Sequence, residues 1–268
     1  MSDGETPSPA TGRGRPLSGL VMALRFFSRL PTGRDAHEVP DLNRIAPVLP
    51  LASLVIGAGP ATLLVALVAG GVPALFAAIL AVAAFAIVTG AMSEDGAADA
   101  ADGLFGGATP ERRLEILKDS RHGTYGVLAI VFVIGLKLAA LSAISARDPL
   151  AAGLVWLAAT TMARSGALYL PLRLAPARAD GAAAAAGRVG RNAFALGIVL
   201  AIVIAGALAA PFVGLPGLAL AIGIAGLAAL GWTWLCHRLI GGQTGDLIGA
   251  AQALLEIAIL AVFMGMIV

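Results

Sequence analysis

The sequence predicts an all-α fold, a polytopic transmembrane helix bundle of about seven spans, and three observations carry that prediction. Hydrophobic residues make up 59% of the 268 and charged residues only 13%, with a mean hydropathy of +0.90. A soluble domain carries roughly a quarter charged residues. Apolar stretches recur at the length of about 20 residues that a bilayer-crossing helix needs. Nearly all the Arg and Lys, finally, fall in alternate connections between those stretches.

Residues 1–16 are rich in Ser, Thr, Pro and Gly and read as a disordered tail. They do not read as a signal peptide, since no apolar core and cleavage site follow at the right length. Residues 17–268 then form one integral membrane domain. Residues 17–31 are too short and too charged to span. Their apolar positions recur with helical period, and Arg25 and Arg29 lie one turn apart, which predicts an interfacial amphipathic helix. Arg29 has two readings there: an anchor to lipid headgroups, or a contact to an anionic substrate.

The spans are read at about 47–69, 72–92, 125–146, 150–172, 193–213, 215–235 and 247–267. Abundant Ala and 34 Gly suit helices that pack closely within a bilayer. Nearly all Arg and Lys fall in residues 1–46, 93–124, 173–191 and 236–246, whereas the alternate connections hold only Arg147. Seven spans put every basic segment on one side, the cytoplasmic side by the positive-inside rule. The N-terminus is then cytoplasmic and the C-terminus outside.

The loop 93–124 concentrates the chemistry. No charged residue occurs from Ile45 to Ser93, and then Glu94-Asp95-Gly96-Ala97-Ala98-Asp99-Ala100-Ala101-Asp102-Gly103 follows. Asp95, Asp99 and Asp102 sit at i, i+4 and i+7, which on a helix stacks three carboxylates on one face. Like charges so placed need a cation among them. Oxygen ligands in this number suit Mg²⁺, which takes few protein ligands and leaves positions for phosphate oxygens. Gly103 to Gly107 reads as a flexible break. Thr109 as N-cap, Pro110 at the first helical position and Glu111 in the first turn predict a second short helix.

Lys118, Asp119, Arg121 and the glycines around Thr124 and Tyr125 then lead into the third span. Backbone amides at such a helix start, beside Lys118 and Arg121, predict an anion site. The plainer reading is that Asp119 and Arg121 pair as solvated loop charges. Gly242, Gln243 and Thr244, followed by Asp246, stand before the last span in a second glycine-rich, donor-rich turn on the same predicted side. Four ionisable residues fall in or near spans, Lys137, Arg164, His237 and Glu256. Charge at bilayer depth faces the bundle interior, so Arg164 and Glu256 are candidates for a pair or for a cavity lining. Lys137 reads as structural and His237 as interfacial.

No basic patch is interleaved with aromatics, so no nucleic-acid partner is expected. The single Cys236 cannot make an internal disulfide or a zinc cluster. The sequence is compatible with a homo-oligomer.

Asp95-Gly96-x-x-Asp99-x-x-Asp102-Gly103-Leu104, followed by Arg112-Arg113-Leu114-Glu115-Ile116-Leu117-Lys118-Asp119-Ser120-Arg121-x-Gly123-Thr124-Tyr125-Gly126, resembles the cobalamin synthase family, the adenosylcobinamide-GDP ribazoletransferases. Phe27 to Pro31, Pro50-Leu51 with Gly57, and Gly241 to Asp246 with Gly249, Ala250 and Glu256 resemble further segments of that family. The resemblance runs from about residue 20 to 260. Two positions depart from it: Ser93 stands where the family often has His, and Ser53 where it has Gly.

The resemblance implies a Mg²⁺-dependent enzyme of the bacterial inner membrane, with its active site facing the cytoplasm. It implies transfer of the adenosylcobinamide phosphoryl moiety from adenosylcobinamide-GDP to the 5′-hydroxyl of α-ribazole or its 5′-phosphate, with release of GMP. On that reading Asp95, Asp99 and Asp102 hold metal, Lys118 and Arg121 meet the leaving group, and Asp119 or Asp246 is a further ligand or the base. A CDP-alcohol phosphotransferase is the nearest rival, but Asp99 and Ala100 stand where its signature needs Ala and Arg. A corrinoid transporter would place its acids at the bilayer midplane rather than in a loop.

Overall fold

The computed structural model describes residues 16–33, 39–119 and 121–268. The tail assigned to residues 1–16 therefore lies outside the described residues except for Pro16, which begins the first helix, and Ser120 of the loop motif lies outside them too. Among the described residues the chain is helical throughout, and its one β-bridge joins Pro176 to Gln243.

The entry helix α1 (Pro16–Phe27) is 12 residues long. It lays Met22, Ala23 and Phe27 into the protein against α3, so its apolar face is covered by protein as well as by the interface. The short α2 (Leu42–Ile45) is capped by Asp41, whose side chain accepts from the amides of Asn43 and Arg44. Then come α3 (Leu49–Ala69), α4 (Ala74–Thr89), α5 (Met92–Gly106), α6 (Pro110–Ile116) and α7 (Thr124–Arg147). They are followed by α8 (Pro149–Ala167), α9 (Tyr169–Arg173), α10 (Ala182–Ala186), α11 (Arg191–Ile240) and α12 (Gly245–Ile267).

Six of the predicted spans fall on one helix or half of one, and 150–172 takes in both α8 and α9. At 1.5 Å per residue α11 would be about 75 Å long, far beyond one bilayer crossing. It breaks at Gly214, whose φ of 67° and ψ of 173° leave the helical region, giving α11a (191–213) and α11b (215–240). By length and apolarity alone α3, α7, α11 and α12 qualify as spans, and α4 with α5 would make a fifth. The molecule is thus a multi-pass helical membrane protein. α12 is its axis: it packs on α5, α7, α8 and α11, and two-thirds of its most apolar window is buried.

α4 and α5 meet at 85°. The turn is made by two successive left-handed residues, Gly90 (φ 67°) and Ala91 (φ 55°). Ala in that region is strained, since only Gly adopts it freely. The bend takes the chain out of α4 and lays the acidic helix α5 against α12 and α7.

Candidate active site

The acidic stretch folds as the single helix expected, with Asp95 exposed, Asp99 half-buried and Asp102 buried. The helix runs through Gly103 to Gly106, so the flexible break predicted there is absent and the chain leaves the helix at Gly107. α5 rests on the start of α12 at backbone contact. A Cβ on Gly96 would sit 2.6 Å from the carbonyl oxygen of Asp246, which only glycine tolerates. That contact brings Asp246 to the same face as Asp95 and Asp99.

The result is a cluster of unlike exposure and like charge. Asp99, half-buried on α5, has the like-charged Asp95 and Asp246 beside it. His122 acts on it in the opposite sense. Neither Asp95 nor Asp99 has a hydrogen-bond or ion-pair partner among the described residues. Asp246 has two neighbours of its own: Thr244 Oγ1 donates to its Oδ2 at 3.3 Å, and Arg178 Nη2 lies 3.7 Å away.

Asp102 points elsewhere. Its Oδ2 accepts from the Gly123 amide at 2.6 Å and its Oδ1 from the Gly126 amide at 2.9 Å. These are the orphan donors at the start of α7, whose N-cap is Gly123. The anion site predicted at that helix start therefore exists, but the anion in it is Asp102. A Cβ on Gly123 or Gly126 would collide with that carboxylate.

The loop cations are held by carboxylates. Arg121 and Asp119 make the solvated pair named above as the plainer reading, at 2.6 Å, and Arg121 holds the Asp119 carboxyl at about 2. Lys118 pairs with Asp180 at 2.7 Å, tying this loop to the segment after α9. The short helix is as predicted, with Thr109 accepting from the Arg112 amide and Pro110 in its first turn. Arg29 is exposed, donates its backbone amide to Val88 O at 2.7 Å and lays its guanidinium against Gly90 at the α4–α5 bend.

The turn before α12 serves three purposes. Gly242 lets the backbone of Ala175 to Ala177 approach, and Thr244 caps α12 by accepting from Leu247. Gln243 pairs its backbone with Ala175 and Ala177, while its fully buried amide has neither oxygen nor nitrogen partnered among the described residues. A small cavity beside it is lined by Arg178, Asp180, Gln243 and Thr244.

Beneath α5 lies a buried ionic network. Lys137 of α7 is 2.7 Å from Glu94 Oε1 and 3.1 Å from Glu256 Oε2. Ser93 donates to Glu94, and Trp156 Nε1 donates to Glu256 Oε1 at 3.0 Å. Of the two readings given for Arg164 and Glu256, the pair does not form, because Lys137 takes that place. Arg164 is instead enclosed between Phe27 and Phe85, 5.8 Å from each ring centroid, with Nε and Nη1 unpartnered.

Sequence reasoning missed Glu94 as a buried anchor, and His122 and Arg178 as neighbours of the acids. His122 lies inside the loop motif and Arg178 in a basic segment, so composition had marked both regions without singling out the residues. Among the described residues no three His, Cys, Asp or Glu side chains converge on one point that would hold an ion. Mg²⁺ needs fewer: one or two carboxylates suffice when phosphate oxygens complete the shell. Asp95 and Asp99, unpartnered and one turn apart, fit that requirement.

Fold and site together define a multi-pass membrane protein with a carboxylate cluster at one end of a helical bundle, the arrangement of a membrane-bound transferase. The chain belongs to the cobalamin-5-phosphate synthase family, whose match spans residues 19–264. It is 46% identical over 250 residues to the adenosylcobinamide-GDP ribazoletransferase of Azorhizobium caulinodans, covering 92% of this chain and 95% of that one. The protein of that name from Xanthobacter autotrophicus is 44% identical over 260 residues, covering 93% and 95%. The one from Rhizobium etli is 40% identical over 241 residues, covering 89% and 93%. No solved structure matches the chain.

Proposed function

We propose that the chain transfers the adenosylcobinamide phosphoryl moiety from adenosylcobinamide-GDP to α-ribazole or its 5′-phosphate, as its relatives are named for doing. It would act in a bacterial inner membrane through a cytoplasm-facing site. The observation that carries this reading is the meeting of Asp95, Asp99 and Asp246 where α5 crosses α12. The orientation rests on the seven-span reading, which puts this end of the bundle with the basic segments.

In the reaction a free ribose hydroxyl of the acceptor loses its proton and its oxygen forms a bond to the phosphorus nearest the corrinoid. The bond from that phosphorus to the bridging oxygen breaks, and GMP leaves with the electron pair. Such transfers gain most from positioning and from neutralising charge. Asp95 and Asp99 would hold Mg²⁺, which supplies charge neutralisation on the pyrophosphate oxygens when bound. Asp102 stands behind them, holding the start of α7.

Asp246 is the better candidate for accepting the hydroxyl proton. It lies beside Asp99, whereas Asp119 is tied to Arg121. Lys118 and Arg121 would exchange their carboxylate partners for the phosphates of the nucleotide. Arg29, without an ion pair among the described residues, and the unpartnered Gln243 amide offer further donors. Gly242 and Thr244 act by shaping and capping that turn.

The test is purified protein in lipid with adenosylcobinamide-GDP, α-ribazole and Mg²⁺, following GMP and cobalamin together. GMP appearing in step with cobalamin and abolished by EDTA is expected. GMP release unchanged by EDTA would overturn the metal assignment, and no release from folded protein would overturn the reaction.

A further inference from the structure

Three cavities adjoin on the flank of the bundle where α8, α9 and both halves of α11 meet. The first, of about 560 Å³, is lined by Arg173, Arg188 and Arg191. The second, of about 370 Å³, shares Arg173 and adds Tyr169, Leu230, Trp234 and His237. The third, of about 300 Å³, shares Tyr169 and Leu230 and is otherwise apolar.

This third cavity is a groove with a direction. Phe194, Ile198 and Ile202 line it on α11a, and Leu230, Gly226 and Ile222 on α11b. Each set steps by four residues away from the end of its helix that lies beside the arginines. The groove therefore runs about 12 Å into the bundle from the charged cavity. Four of these wall residues are half-buried, and Gly226 and Leu230 are exposed on the flank.

The charged end is unbalanced. Arg188 donates to the Leu172 carbonyl and Arg173 lies 5.8 Å from the Tyr169 ring centroid, but none of the three arginines makes an ion pair among the described residues. Trp234 and Tyr169 stand between cations and apolar wall, as amphipathic rings do at a membrane surface. Cationic head space, an aromatic collar and an apolar groove in that order match one class of ligand.

We propose that this flank is a binding site for an anionic phospholipid, with its phosphate among Arg173, Arg188 and Arg191 and an acyl chain in the α11a–α11b groove. The site is separate from the acidic cluster and does not depend on the reaction assigned to it. Each arginine near a headgroup is worth about fivefold in affinity, so the three together supply on the order of a hundredfold preference over a zwitterionic lipid.

The experiment reconstitutes the full chain in phosphatidylcholine vesicles carrying trace phosphatidylglycerol with brominated acyl chains, and reads tryptophan quenching. Trp234 is the reporter, and Trp234→Phe identifies its share. Phosphatidylglycerol should quench at far lower mole fraction than brominated phosphatidylcholine. The preference should fall to parity in Arg173→Ala/Arg188→Ala/Arg191→Ala.

Gly226→Phe keeps every charge and fills the groove, since a Cβ there meets nothing within 4 Å. It should remove the quenching of Trp234 by either lipid. Equal quenching by both lipids in the unaltered chain would overturn the proposal. So would a preference that survives the triple substitution, or quenching displaced by inorganic phosphate or adenosylcobinamide-GDP, which would assign the arginines to a soluble anion instead.

Discussion

The Lys137 ammonium lies 2.7 Å from the carboxylate of Glu94, the residue immediately before Asp95. Lys137 belongs to α7 and Glu94 to the acidic helix, so the contact pins that helix from below while Asp95 and Asp99 face the open side. Glu256 of α12 and Trp156 of α8 complete the tie, and four helices thereby converge on one buried cation. Rotating α5 to move the aspartates would break this pairing.

Lys137→Met should therefore destabilise the protein strongly. It leaves Glu94 and Glu256 buried without a cation, and removing one partner of a buried pair costs about 3–5 kcal/mol. Thermal unfolding in detergent measures the loss. A variant as stable as the parent would show that the network does not fix the helix.

Asp102→Ala should act on the fold more than on metal. It strands the buried amide of Gly126, at about 1–3 kcal/mol for a buried donor left unsatisfied, and leaves the exposed Gly123 amide to water. Hydrogen exchange at the start of α7 should quicken, while Mg²⁺ affinity, read by calorimetry, should change less than it does in Asp95→Asn. Lost metal affinity with unchanged exchange would return Asp102 to the metal ligands.

Asp246→Asn and Asp119→Asn should separate. The first removes the carboxylate beside Asp99 and is expected to lower kcat at least about 100-fold, the scale of general acid–base catalysis. The second frees Arg121 and should appear chiefly in KM. Because Asp119 titrates at about 2, the acid limb of the pH–rate profile should be the same in Asp119→Asn as in the parent. A matching fall of kcat in both variants would contradict this division.

Much of this was legible in the residues. The acidic helix was written in the four-residue spacing of its aspartates, and the spans in the long uncharged runs. The cap at Thr109 followed from Thr-Pro, and the break near 214 from the boundary between two span-length apolar runs. What pairing does across space was not legible. Asp102 looks like its two neighbours in sequence, and only the approach of α7 turns it into a cap. Arg164 and Lys137 are both single cations in apolar runs, and the packing of α12 decides which of them meets Glu256. The left-handed pair Gly90-Ala91 contains an Ala that local preference would never place there. Tertiary packing on α12 overrides that preference and sets the 85° bend.

The most direct test of the central claim is Mg²⁺-dependent GMP release by Asp99→Asn in the same lipid as the parent. The account predicts loss of turnover by at least about 100-fold with unaltered membrane insertion and thermal stability, since one ligand and its charge leave the site. Turnover within about twofold of the parent at the same Mg²⁺ concentration would contradict it.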